Sequence, residues 1–127
     1  MIDSADAGSI TPTSLLTPGD KADTAAATGA WTAVSGYEGY LVFIEHVGVI
    51  TAGTITGKIQ TATDDQGTGV TDLATFTQVT TSTDNPSIQK KVIATKQNLG
   101  YIRYLGTIGT GPATVGCTML GSLKTAS

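Results

Sequence analysis

The sequence predicts an all-β protein, an antiparallel β-sandwich of jelly-roll-like type with an extended N-terminal arm. Two patterns and one bulk property point there. Short segments rich in β-branched and aromatic residues recur about every 8–12 residues, separated by Gly, Pro, Asn and Asp. No stretch sustains the 3.6-residue period of an amphipathic helix. The 127 residues, 39% hydrophobic and 13% charged, can bury one core without metal or disulfide staples.

The elements follow in order. Residues 1–29, "MIDSADAGSITPTSLLTPGDKADTAAATG", are Ala-, Ser-, Thr- and Asp-rich and read as an arm, extended or partly disordered. Ordering a residue costs roughly 1–2 kcal/mol, and burying Ile10, Leu15 and Leu16 returns roughly 1.5–3 kcal/mol each. Those three side chains cannot order the segment alone, so it needs backbone pairing or a partner. The sandwich domain is expected over 30–127. "YLVFIEHVGVI" (40–50) sets Tyr40, Val42, Ile44 and His46 on one face and Leu41, Phe43, Glu45, Val47 and Val49 on the other. A segment apolar on both sides is expected as a central or sandwiched strand. "TITGKIQT" (54–61) turns Ile55, Gly57 and Ile59 inward, and "TAG" before it suggests a hairpin. "ATDDQGTGVTD" (62–72) is turn chemistry. Residues 73–80, 87–95 and 100–108 read as further strands, and 101–108 with 113–120 as a final hairpin around "GTGP", with Val115, Cys117 and Met119 on one face.

The charge pattern narrows the partners. A net charge of -3 with seven scattered Lys and Arg residues leaves no basic footprint for phosphates, so nucleic acid is not an expected partner. The N-terminal "MIDSADAGSI" has neither a basic start nor an apolar run, and no span of about 18 apolar residues occurs, so no signal peptide or membrane segment is expected. One cysteine cannot form an intrachain disulfide, which is compatible with a reducing cytoplasm.

Candidate chemistry is sparse, and no catalytic, cofactor or metal-ligating set is assigned. A serine or cysteine nucleophile needs a base, and the single histidine, His46, lies in an apolar strand beside Glu45. Cys117 alternates with Val115 and Met119, as a small core hydrophobe does. Asp64 and Asp65 are adjacent in a turn, and with Asp72 they lack the ligand spacing of a calcium loop. "GTIGTGPA" is followed by a strand where a phosphate loop needs a helix, and Pro112 removes a donor. Trp31, Tyr37 and Tyr40 could form a sugar-stacking surface, the basis of an alternative reading as a carbohydrate- or receptor-binding module.

Residues 37–124, through "TAGTITGKIQTATDDQGTGVTDLATFTQV" and "SIQKKVIATKQNLGYIRYLGTIGTGPATVGCTMLGS", resemble the capsid cement (decoration) proteins of tailed bacteriophages. The shared features are a strand ending in an acidic turn, a "YIR"-like strand and a Gly/Pro-marked end. The resemblance implies a non-enzymatic protein on the outer surface of the virion head, made in the bacterial host cytoplasm. Its implied partners are the major capsid protein and further copies of itself, as a dimer or trimer. In this setting about twenty extended residues would reach roughly 65–70 Å, and Ile10, Leu15 and Leu16 become candidate anchors of the arm on a neighbouring subunit.

Overall fold

The computed structural model describes residues 10–50, 52–82, 86–110 and 112–123. The strands are β1 (Ile10–Lys21), β2 (Thr32–Ala33), β3 (Tyr37–Val47), β4 (Thr54–Ala62), β5 (Thr71–Thr75), β6 (Val79–Thr80), β7 (Ser87–Ala94), β8 (Tyr101–Ile108) and β9 (Ala113–Leu123). They form two antiparallel sheets. Sheet A has the order β1-β9-β3-β7, and sheet B the order β2-β8-β4-β5, with β6 also pairing β4. Among the described residues no α-helix occurs, only a 3-10 turn at Thr95–Gln97.

This order is that of a jelly roll. The chain runs out through β1 to β4 and returns through β5 to β9, and the returning strands pair in nested fashion: β9 with β1, β8 with β2, β7 with β3, β5 and β6 with β4. Rolling this double ribbon brings β9 onto β3 and β8 onto β4, which closes the two sheets. The predicted β-sandwich is what the chain forms.

The core lies between the sheets. Leu41, Phe43 and Val47 enter it from β3, Val115, Cys117 and Met119 from β9, Ile55 and Ile59 from β4, and Ile102 and Tyr104 from β8. These inward faces are the ones the alternation predicts. Burying each large aliphatic side chain contributes about 1.5–3 kcal/mol.

The structure corrects four expectations. First, residues 10–21 are not an arm: they are β1, in register with β9 from Ile10↔Ser122 to Lys21↔Ala113. The ordering that three side chains cannot supply comes from backbone pairing within the same chain. Register breaks between Ser14 and Leu16 and between Leu16 and Gly19 interrupt the alternation, so both Leu15 (3% exposed) and Leu16 (6%) reach the core. Residues 23–29 continue into the domain: the Asp23 carboxylate accepts from the Ala26 N–H, and Thr28 bridges Leu105. Residues 1–9 of the expected arm lie outside the described residues.

Second, "TAG" does not close a hairpin, because β3 belongs to sheet A and β4 to sheet B. Third, "GTGP" does not either, because β8 and β9 lie in different sheets. Residues 51 and 111, one in each of these turns, lie outside the described residues. Both turns carry the chain from one sheet to the other, and they pack together: a Cβ on Gly53, where φ is +78°, would sit 1.4 Å from the Thr110 carbonyl oxygen. Fourth, 73–80 is two strands. β5 pairs residues 58–61 and β6 pairs residues 54–55, and between them Phe76 sinks into the core while its N–H donates to the Gly57 carbonyl.

Candidate functional site

The groups most able to carry chemistry lie inside the sandwich. Glu45 points inward from β3 and is 1% exposed. The Tyr104 hydroxyl, reaching from β8 in the opposite sheet, donates to Glu45 Oε2 at 2.5 Å. Room for the pair comes from two glycines in register across sheet B, Gly57 and Gly106. A Cβ on Gly57 would stand 1.9 Å from Glu45 Oε2 and 2.3 Å from the Tyr104 hydroxyl oxygen. Cys117 faces Glu45 across the β3–β9 register.

Burial sets the protonation of this cluster. It raises the Glu45 carboxyl to about 7, against a smaller lowering by the Tyr104 hydrogen bond. It raises the Tyr104 hydroxyl above its ordinary value, with the Glu45 charge adding to the effect. It pushes the Cys117 thiol up to about 12, again with Glu45 adding to it. A thiol held protonated in the core is a poor nucleophile. Strict alternation put Glu45 in phase with Leu41, Phe43 and Val47, so the sequence held the signal for this buried carboxyl, but not for its partner.

The acidic turn is engaged with itself. Asp64 accepts from the Gln66 N–H (2.9 Å), the Thr68 N–H (3.0 Å) and the Thr68 hydroxyl (2.6 Å), and these bonds, the Thr68 hydroxyl first, hold its carboxyl below the usual carboxylate range. Asp65 binds the Gln66 side chain. Asp72 sits apart on β5. Among the described residues no three His, Cys, Asp or Glu side chains gather to hold a metal.

The outer face of sheet B is polar and tied down. Lys58 Nζ and Gln60 Nε2 donate to the two Asp72 carboxylate oxygens at 3.2 and 3.0 Å, and Arg103 Nε donates to Gln60 Oε1 at 3.0 Å. The Gln60 bond, ahead of Lys58, lowers the Asp72 carboxyl below its usual range. The Arg103 guanidinium lies 4.5 Å over the Trp31 ring, which also packs beside Gly67. This ladder links β5, β4 and β8.

The outer face of sheet A is apolar, and none of the described residues covers it. The registers place Pro12, Leu120, Val42 and Val92 in one row across all four strands, a width of roughly 15 Å at about 4.8 Å per strand. Tyr40 (67% exposed) lies beside this row, and on the far side of Ile44 stands Ile88 (71%), opposite His46. Grooves lined by Ile10, Tyr40, Val42 and Leu120, and by Pro18, Ile44, His46 and Ile88, mark its two ends. β3 is central in its sheet, as expected, but no described residue covers its second apolar face.

Of the residues proposed as partner anchors, Leu15 and Leu16 are buried in the chain's own core and cannot insert into a neighbour, a correction that follows from the β1–β9 pairing. Ile10 is half-buried at the end of the sheet A face. Trp31, Tyr37 and Tyr40 do not form one surface. Trp31 stacks with Arg103 on sheet B, Tyr37 packs against the core with its hydroxyl 3.3 Å from Thr13 Oγ1, and Tyr40 stands on sheet A.

No protein-family model matches the sequence, and no curated protein matches it. Solved structures with a similar course include a Bacillus endospore appendage forming disulfide-linked pili (16% identity, 91% of this chain and 89% of that one, TM-score 0.48). A carbohydrate-binding module specific for non-crystalline cellulose, CBM28, is similar at 10% identity over 85% of this chain and 71% of that one, TM-score 0.48. The infectious bursal disease virus VP2 subviral particle is similar at 13% identity over 89% of this chain and 32% of that one, TM-score 0.46. No function passes from any of them to this chain.

Proposed function

We propose that this chain is a structural protein of a virion, decorating the outside of a tailed-phage head and stabilising it by bridging major capsid subunits at capsomer boundaries. One observation carries the reading. Both broad faces of the sandwich are furnished for contact, one with an uncovered apolar row and the other with polar side chains already tied in place, while the thiol, the buried carboxyl and the acidic turn serve the fold. The resemblance of residues 37–124 to cement proteins supplies the shell and the location. Its partners are the major capsid protein and further copies of itself, and it catalyses no reaction. A polar face whose side chains are ordered beforehand loses little entropy on docking, and repetition over a lattice lets weak contacts sum to firm attachment.

The test is to mix the purified protein with phage heads that lack it and to image the product by electron cryomicroscopy. Regular added density at capsomer boundaries is expected. Heads that stay bare at saturating protein would remove the proposal, as would turnover of a substrate by the isolated chain.

A further inference from the structure

Among the described residues nothing covers the apolar face of sheet A, and its charges point to an occupant. At one end of β3 stands Glu38, in register with Ser122, which pairs Ile10. Toward the other end stands Lys90, in register with Ile44. Both are exposed, and among the described residues neither has a side-chain hydrogen bond or ion pair within the chain. Between them lie Tyr40 and the row Pro12, Leu120, Val42 and Val92. An apolar centre flanked by one free acid and one free base is self-complementary, since a two-fold rotation about an axis across the strands near Val42 brings each Glu38 level with the other copy's Lys90, about 4.8 Å (one strand) to its side.

The edges of sheet A argue for the face as the point of contact. β1 carries Pro12 and Pro18 and two register breaks, and β7 carries adjacent Lys90 and Lys91. Prolines, bulges and lysines block edge-to-edge pairing of strands. In sheet B the outer strands are short: β2 and β6 are two residues long and β5 is five.

We propose that a second copy of this chain covers the outer face of sheet A, in a two-fold dimer packed sheet to sheet, with Val42, Tyr40, Leu120 and Val92 at its centre and Glu38–Lys90 pairs at its rim. This rests on the reading of the chain as an assembly protein and adds what covers the apolar face. The dimer leaves both copies' sheet B faces outward, so one particle carries two identical polar faces with which to bridge shell subunits.

Sedimentation velocity on the isolated full chain over roughly 1–100 µM tests it without any shell. A concentration-dependent dimer is expected. Glu38→Lys alone and Lys90→Glu alone each weaken association by roughly tenfold or more, and the double variant E38K/K90E restores it. Both positions are exposed, and a melting curve for each variant checks that it is folded. A wild-type chain monomeric throughout, a trimer, or a double variant no better than either single one overturns the proposal. Shell binding is measured separately: a monomer that still decorates heads sinks the dimer alone, and a dimer that leaves heads bare sinks the function alone.

Discussion

The two outer faces of the sandwich are built from the same backbone geometry and differ in what their side chains have left to do. On sheet B, Lys58, Asp72, Gln60 and Arg103 satisfy one another across three strands and Trp31 takes the Arg103 guanidinium. On sheet A, Tyr40, Val92 and Ile88 are exposed with Val42 half-buried beside them, and Glu38 and Lys90 have no side-chain partner among the described residues. A network satisfied internally gains little from a partner beyond fit, whereas an uncovered apolar row gains about 25 cal/mol for each Å² it hides. The difference separates a face that fits from a face that sticks.

Both faces depend on the core between them, so the largest effect should come from breaking it. Gly57→Ala puts a methyl group where Glu45 and Tyr104 meet and should cost more than about 3 kcal/mol. The loss would appear as a thermal midpoint lower by roughly 10 °C, with both faces lost together. A midpoint within a degree or two of wild type would mean that the sheets are not clasped there.

Next in size is the response to pH. The folded chain holds the Glu45 proton more tightly than the unfolded chain, since its carboxyl is raised from 4.5 to about 7. The associated stability is fully present below the unfolded value and is lost as pH rises through about 7. The loss is about 3 kcal/mol across that window. Urea unfolding from pH 4.5 to 8 should show this decline, and Glu45→Gln should flatten it. An equally steep decline in the variant would assign the dependence to another group.

Smaller effects distinguish the faces. Arg103→Ala removes a stacked, hydrogen-bonded cation and should cost about 1 kcal/mol in chemical denaturation while leaving self-association unchanged. Val92→Ser, at a side chain 50% exposed, should change stability by less than about 0.5 kcal/mol and yet weaken association. If Arg103→Ala weakened association and Val92→Ser did not, the roles of the faces would be reversed.

Much of the fold was legible because alternation fixes the face a side chain takes: the inward positions on β3, β4 and β9 were all in phase in the sequence. Pairing was not legible. "TAG" and "GTGP" signal that the chain reverses, and a reversal reads the same whether the chain returns beside itself or crosses to the other sheet. β1 was hidden for a different reason. Its register breaks bury two consecutive leucines, which defeats a period of two, and its ordering comes from β9, about a hundred residues away. The candidate site was half legible. Tyr40, Val42, Ile44 and His46 were visible as an apolar face, but a sequence cannot show that no described element covers them.

The difference between the faces can be tested with two single-cysteine substitutions, because the native Cys117 is buried and its thiol is held protonated. Val92→Cys reports on sheet A and Thr56→Cys on sheet B, and the measurement is the rate of modification by a thiol reagent as protein concentration rises. If sheet A is the covered face, Val92→Cys becomes protected on association while Thr56→Cys reacts at one rate throughout. Equal rates at the two positions, at every concentration, would contradict it.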